Sequence, residues 1–153
     1  MIMIYYDPLS LGQQLKKLRI EQKLNQADVA LFVGVSERTV RNIEKGAVGT
    51  KAGVIFEAAS ELGLLLYVIE KNEEQSSYEA ASLVKIGNII RKTRKEQKIR
   101  QDDLAAIVGV QHSVLGRLER GASSVAIVTL LKCLNELGLH LCSPNRQVLS
   151  EEQ

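Results

Sequence analysis

Apolar positions in the first 70 residues fall at helical spacing four times and then run together once. Leu11, Leu15 and Leu18 share one face while Gln14, Lys16, Lys17 and Arg19 point outward. Asp7-Pro8 supplies a good N-cap followed by a proline suited to the first helical position. Asn25 caps a second, short helix over Gln26–Val33, which Gly34 breaks before Val35 turns inward. Ser36 caps a third helix over 37–45, with Val40 and Ile43 on its apolar face and Gly46 at its end. A fourth helix over 51–62 carries Val54, Ile55, Ala58, Ala59 and Leu62 inward. Residues 64–69 then form a run of strand formers, too short and too apolar for an exposed helix.

The same pattern returns after a shift of 75 positions without a gap: Gly12 falls on Gly87, Gln26 on Gln101, and Val33-Gly34-Val35 on Val108-Gly109-Val110. Identities occupy 20 of the 56 aligned positions between 11–66 and 86–141. A repeat of this length is a whole small domain rather than a solenoid unit. The second copy predicts a helix capped by Ser82 through Ile86, Ile90 and Arg94, then helices over Gln101–Val108, 111–120 and 125–137. Its strand, 139–142, stops before Pro144. The expected organisation is a first domain over 1–70, a polar linker over 71–81, a second domain over 82–142 and a disordered tail over 143–153. Residues 36–43 and 111–118 share no identity, although both sit between matched segments. A scaffold kept while one short segment is rewritten is how a duplicated recognition module diverges.

Composition narrows the class without deciding the function. With 45% hydrophobic and 25% charged residues the chain reads as an ordinary soluble globular protein. Domains of about 65 residues lie near the lower limit for a self-sufficient core and gain from burying surface against each other or a partner. Net charge is only +2, but residues 79–142 hold 10 basic and 6 acidic side chains against 9 and 10 in residues 1–78. The second copy therefore supplies most of the positive field that would meet a polyanion. The longest apolar run, 62–69, is too short to span a bilayer, and the N-terminus lacks an export signal's basic flank and apolar core. Cys133 and Cys142, expected on a helix's apolar face and the following strand, read as core residues without a metal-binding pattern. The expectation is a cytoplasmic, reduced protein without a cofactor.

A short helix, a turn with glycine and a second helix make a helix-turn-helix. Ala30 is small where the helices cross, Gly34 permits the turn, and Val29, Val35, Val40 and Ile43 hold the helices at a fixed angle. The outer face of the third helix is thereby left to enter a major groove. From Leu24-Asn25-Gln26-Ala27-Asp28-Val29-Ala30 through Val33-Gly34-Val35-Ser36 to Ile43-Glu44-Lys45-Gly46, the chain resembles the Cro/phage-repressor (XRE) helix-turn-helix family, twice in register. The ending Leu-Gly-Leu plus strand resembles HipB-type antitoxins, whose C-terminal strand joins two subunits; Leu139-His140-Leu141-Cys142 is the closer local match. The resemblance implies an all-α fold of two tandem lambda-repressor-like helix-turn-helix domains, each followed by a short β-strand. It further implies a DNA-binding transcriptional repressor, with a HipA-like toxin kinase as a second partner if the HipB likeness extends to function.

Carried over by position, Glu37, Arg38 and Asn42 are the base-reading residues of the first copy, matched by His112, Ser113 and Arg117 in the second. Gln26, Thr39 and Arg41 are expected on phosphate, as are Gln101, Lys95 and Arg100, with Arg91, Lys92 and Lys98 extending the track. The bland alternative for each is a solvated helix residue. The second copy departs from the pattern three times. Arg100 replaces the capping Asn25, Gly116 lies inside the recognition helix at a cost of about 1 kcal/mol relative to Ala, and Val114 replaces the polar Thr39. Two readings of that copy follow: a DNA-contacting domain, favoured by its charge, or a degenerate one kept for packing. His112 and His140 have no plausible nucleophile or ligand set beside them, and Glu44 and Glu119 are placed to pair with Arg19 and Arg94 rather than to act as acid or base. An enzyme is not expected. A protein-interaction module with little DNA binding is the remaining alternative. The strands over 64–69 and 139–142 are expected to pair, either within one chain as a pseudo-dimer or between two chains as a homodimer.

Overall fold

A computed structural model describes residues 2–70, 73–78 and 82–144. Five elements precede the first repeat's strand: β1 (Ile2–Tyr5), α1 (Pro8–Glu21), α2 (Gln26–Val33), α3 (Glu37–Glu44) and α4 (Ala52–Leu62). Then come β2 (Tyr67–Glu70), β3 (Glu73–Tyr78), α5 (Leu83–Glu96), α6 (Gln101–Val108), α7 (His112–Glu119), α8 (Ile127–Glu136) and β4 (Leu139–Pro144). The fold is mostly helical, with two helix-turn-helix repeats and a few short strands.

Local chemistry starts four of the eight helices among the described residues as expected. The side chains of Asp7, Asn25, Ser36 and Ser82 accept hydrogen bonds from backbone N–H groups three residues on, and Asn25 forms a full capping box with Asp28. Arg100 makes no such bond for α6. Nor do Lys51 and Ala126, at the N-termini of α4 and α8. Those two helix starts use each other instead. Ala52 N–H donates to Val125 O at 2.8 Å, Ile127 N–H donates to Thr50 O at 2.8 Å, and Lys51 bridges Ala126. Orphan donors at one repeat's helix start are thus satisfied by the other repeat's backbone.

The four strands form one antiparallel sheet in the order β1-β4-β2-β3. The expected strand over 64–69 is observed shorter and shifted, at Tyr67–Glu70, because pairing with β4 begins at Tyr67↔Cys142; Leu64 and Leu66 are buried in the core instead. The second strand runs further than expected, through Pro144, because β1 lies alongside and pairs Met3↔Ser143 and Ile2↔Pro144. Part of the polar stretch expected as linker is strand β3. Residues 71, 72 and 79–81, and the tail from 145 onward, lie outside the described residues.

The sheet register shows how the repeats are related. Ile2↔Pro144 and Met3↔Ser143 become Ser77↔Ile69 and Tyr78↔Val68 when 75 is added to one number and subtracted from the other, and both latter pairs are present. The pairs Tyr67↔Cys142 and Lys51↔Ala126 map onto themselves under the same exchange. Contacts that exchange in this way are the mark of a two-fold interface. The repeats therefore form an intrachain pseudo-dimer with an approximate two-fold axis through those two pairs. At Gly53 the two repeats approach closely: its N–H donates to Ser123 O at 3.0 Å, and an added Cβ would lie 2.5 Å from the Ser123 Cβ.

One hydrophobic core runs through both repeats, from Leu11, Leu15, Val40 and Ile55 to Ile90, Leu115, Leu130 and Leu141. Because α1 packs on α8 of the other repeat as well as on α3 and α4, its buried arc exceeds a single stripe. Gln14, expected outward, is buried as well. Gly12 marks the closest helix approach, since a Cβ there would meet the Ile43 carbonyl oxygen of α3; Gly87 stands in the same relation to α7.

Candidate nucleic-acid interface

Each recognition helix is anchored from below by a buried ion pair. Arg19 Nε donates to Glu44 Oε2 at 2.7 Å and its Nη2 to Oε1 at 3.1 Å, while Nη1 donates to Leu24 O at 2.9 Å. The second repeat copies the set: Arg94 to Glu119 at 2.8 and 3.0 Å, and to Ile99 O at 2.9 Å. Both carboxylates are therefore used structurally, as their positions suggested. The same carboxylates hold the first residue of the preceding helix. Gln26 Nε2 donates to Glu44 Oε1 at 2.9 Å, and Gln101 Nε2 to Glu119 Oε1 at 3.1 Å. Both glutamines, expected on phosphate, carry this tie as well. It orients each amide at the N-terminus of α2 or α6, where fixed N–H groups favour an anion.

Above this anchor, Glu37, Arg38, Arg41 and Asn42 are exposed on α3, and Thr39 is half-buried with its hydroxyl 3.0 Å from that of Ser36. Glu37 and Arg41 face each other across one turn at 3.9 Å, an exposed pair worth only a few tenths of a kcal/mol. Neither Arg38 nor Asn42 is drawn into the protein. The buried side of α3 is Val40, Ile43 and Glu44.

The second recognition helix presents His112, Ser113 and Arg117, all exposed. His112 Nε2 lies 2.5 Å from Gln101 Oε1. Polarity along this chain of contacts is forced. Glu119, bidentate with Arg94, accepts from the Gln101 amide nitrogen, so the Gln101 oxygen faces His112, and His112 Nε2 is the donor. Nδ1 is then the ring atom left to present outward. Val114, which replaced a polar residue, is half-buried and packs against the core, so it does not interrupt the outer face. Arg100, expected on phosphate, lies within reach of Asp103 at 3.0 Å and Asp102 at 3.7 Å while remaining exposed, and the hydrogen bond to Asp103 raises its already high pKa. A phosphate there would compete with two carboxylates. Lys92 lies 4.0 Å from Glu96, whereas Arg91, Lys95 and Lys98 are exposed with no carboxylate that close among the described residues.

Other chemistry is sparse. Cys133 and Cys142 are free and buried, and burial pushes their thiols up to about 12 and about 11. Among the described residues no group of three His, Cys, Asp or Glu converges to hold a metal, and no helix is long and apolar enough to cross a membrane.

Comparison with known proteins agrees with this geometry. No solved structure gives a significant match. The uncharacterized HTH-type transcriptional regulator y4mF of Sinorhizobium fredii (strain NBRC 101917 / NGR234) is 42% identical over 53 residues, covering 35% of this chain and 70% of that protein. The helix-turn-helix family profile matches twice, over residues 15–67 and 90–142, the two repeats found by the internal shift. With two such units, each presenting an exposed recognition helix on a buried anchor, the chain belongs to the helix-turn-helix family of DNA-binding regulators.

Proposed function

We propose that the protein is a sequence-specific repressor whose operator consists of two inverted, non-identical half-sites. The approximate two-fold relation between the repeats carries this reading. A homodimer of such domains places identical helices into half-sites about one helical turn apart. Here covalent linkage replaces dimerisation, and the two recognition helices share no residue over 36–43 and 111–118. Residues 1–70 and 82–142 act as the two reading units, joined by 71–81. In the first half-site Arg38 holds guanine through two hydrogen bonds, Asn42 pairs with adenine and Glu37 accepts from cytosine. His112, Ser113 and Arg117 read the second. Gln26, Thr39 and Arg41 bind phosphate on one side, and Gln101, Lys95 and Arg100 on the other.

Selection of bound duplexes from a random pool tests the arrangement. Two different half-sites in inverted orientation are expected. A pool returning only perfect palindromes, or only direct repeats, overturns it. A salt titration with the selected operator separates this reading from a protein-interaction module, because phosphate contacts make log affinity fall linearly with log salt.

The likeness of the C-terminal strand to HipB-type proteins supports a second role as an antitoxin, since that strand joins two subunits there and β4 joins two repeats here. The partner would be a HipA-like toxin kinase. Co-expression with the neighbouring gene should give a stable complex and relieve growth arrest; repression without any such complex removes the antitoxin role.

A further inference from the structure

His112 opens α7 at the position that Glu37 holds in α3, and the two side chains are held differently. Glu37 faces Arg41, one turn further on. The second repeat has Gly116 in that place, which offers no side chain to compete for His112. Nε2 of His112 is bonded instead to the Gln101 oxygen, while Glu119, itself paired with Arg94, holds the Gln101 amide nitrogen. Gln26 is tied to Glu44 in the same way, but an ionised Glu37 has no proton to give the Gln26 oxygen.

This arrangement treats the two nitrogens of the His112 ring unequally. Nε2 carries a hydrogen, since the Gln101 oxygen only accepts. That holds for the neutral ring and for the imidazolium alike, so the tie to Gln101 survives a change of charge. Nδ1 has no hydrogen-bond partner among the described residues. It accepts when the ring is neutral and donates when the ring is protonated. Imidazole is the side chain whose charge ordinarily changes between about pH 5 and 8. The charged groups that share a cleft with Gln101 are Arg91, Arg94 and Lys95 on α5 and Glu119 and Arg120 on α7. Arg117 stands with His112 on the exposed side of α7. Glu119 is paired with Arg94, and Asp102 and Asp103 of α6 lie against Arg100. Among the described residues, therefore, no carboxylate forms an ion pair that would hold the ring in its charged form.

We propose that Gln101 is a positioning residue that makes His112 a proton-dependent base reader. With a neutral ring, Nδ1 accepts and favours cytosine, which shows only a donor, N4, in the major groove. With a protonated ring, Nδ1 donates and favours guanine, which shows only the acceptors O6 and N7. Acidification thus redirects the second reading head, while an ionised Glu37 at the matching position of the first remains an acceptor. The inference rests on the operator reading, in which His112 meets a base.

Competition binding by the full chain at about pH 5.5 and about pH 8 spans the imidazole range and compares duplexes differing at the pair where His112→Ala abolishes preference. The cytosine-to-guanine affinity ratio should fall by about tenfold on acidification, because one hydrogen bond is lost and another gained. In His112→Glu, which restores the acceptor of the first repeat, the ratio should favour cytosine at both values. Gln101→Met frees the ring to present either nitrogen, so the ratio at the higher pH should fall toward one. A merely structural Gln101 would instead weaken every duplex alike and leave the ratio unchanged. That result overturns the inference, as does a ratio independent of pH, a preference for guanine at the higher pH, or a His112→Ala variant that abolishes no preference. The pairs read by Arg38 and Asn42 are scored in the same titration. If they keep their preferences while the His112 pair does not respond, this inference alone fails; if no pair shows any preference, the operator reading falls and takes it along.

Discussion

Arg38 and Lys95 are both exposed cations, yet they are expected to act differently because one stands on a base-reading face and the other on a phosphate-facing helix. Replacing Arg38 with Ala should cost about 1–3 kcal/mol of operator affinity and relax preference at one base pair. Replacing Lys95 should weaken all duplexes alike and lower the salt slope by about one. Competition binding against single-base operator variants checks both, and equal effects of the two changes on every duplex would remove the distinction. The thiols give a prediction independent of DNA. Cys133 and Cys142 rise from 9.0 to about 12 and about 11 because burial penalises the thiolate. The folded chain keeps protons that the unfolded chain releases, so stability should be level below pH 9.0 and fall as pH climbs through the range up to about 12. Tyr5, also raised by burial, acts in the same direction. Urea unfolding on either side of pH 9.0 measures the loss, and Cys133→Ala should reduce it. At this scale the sequence was highly legible where the causes are local. Asp7, Asn25, Ser36 and Ser82 cap the helices they precede because a cap needs only a few consecutive residues. The starts of α4 and α8 were expected at 51 and 125 and lie within two residues of those positions, but what satisfies their backbone donors was not legible, because the hydrogen-bond partners lie in the other repeat.

Between elements, the ion pairs Arg19–Glu44 and Arg94–Glu119 join the first helix of each repeat to its recognition helix. The Arg94 and Glu119 side chains are only 9% and 4% exposed, so removing one partner leaves an uncompensated buried charge. Arg94→Ala should destabilise the protein by about 3–5 kcal/mol, whereas replacing both partners together with apolar residues of similar volume should cost much less. Chemical denaturation of the single and double variants decides this; a double variant as unstable as the single one would mean that packing, not charge, dominates. These pairs could be anticipated from the repeated spacing of Arg and Glu. The additional hold on Gln26 and Gln101 could not, because it depends on the angle at which α2 meets α3. The helix-turn-helix cores were placed almost residue by residue, since 3.6-residue periodicity and glycine breaks mark short helices well. Strands fared worse: β1 and the Glu73–Tyr78 stretch have no helical period to betray them and acquire their pairing only from distant partners.

Across the whole molecule, the central observation is that a two-fold interface has been built inside one chain. Gly53 is a point of close approach in that interface, where an added side chain would drive into Ser123. Gly53→Leu should therefore weaken binding to the complete operator far more than to an isolated half-site, because it disturbs the relation between two otherwise intact reading heads. Fluorescence anisotropy with both duplexes provides the check; equal losses would mean that the heads act independently.

The amino-acid pattern alone determined that there are two related units, that each is a helix-turn-helix, and which outward positions of the third helix differ between them. Those properties follow from periodicity, capping and internal comparison, all of which act over short separations. Only the tertiary structure decided that the repeats face each other across a pseudo-two-fold axis and that they share a sheet and a core. Such features arise from contacts between residues far apart in the chain, where backbone geometry rather than local preference selects the partner.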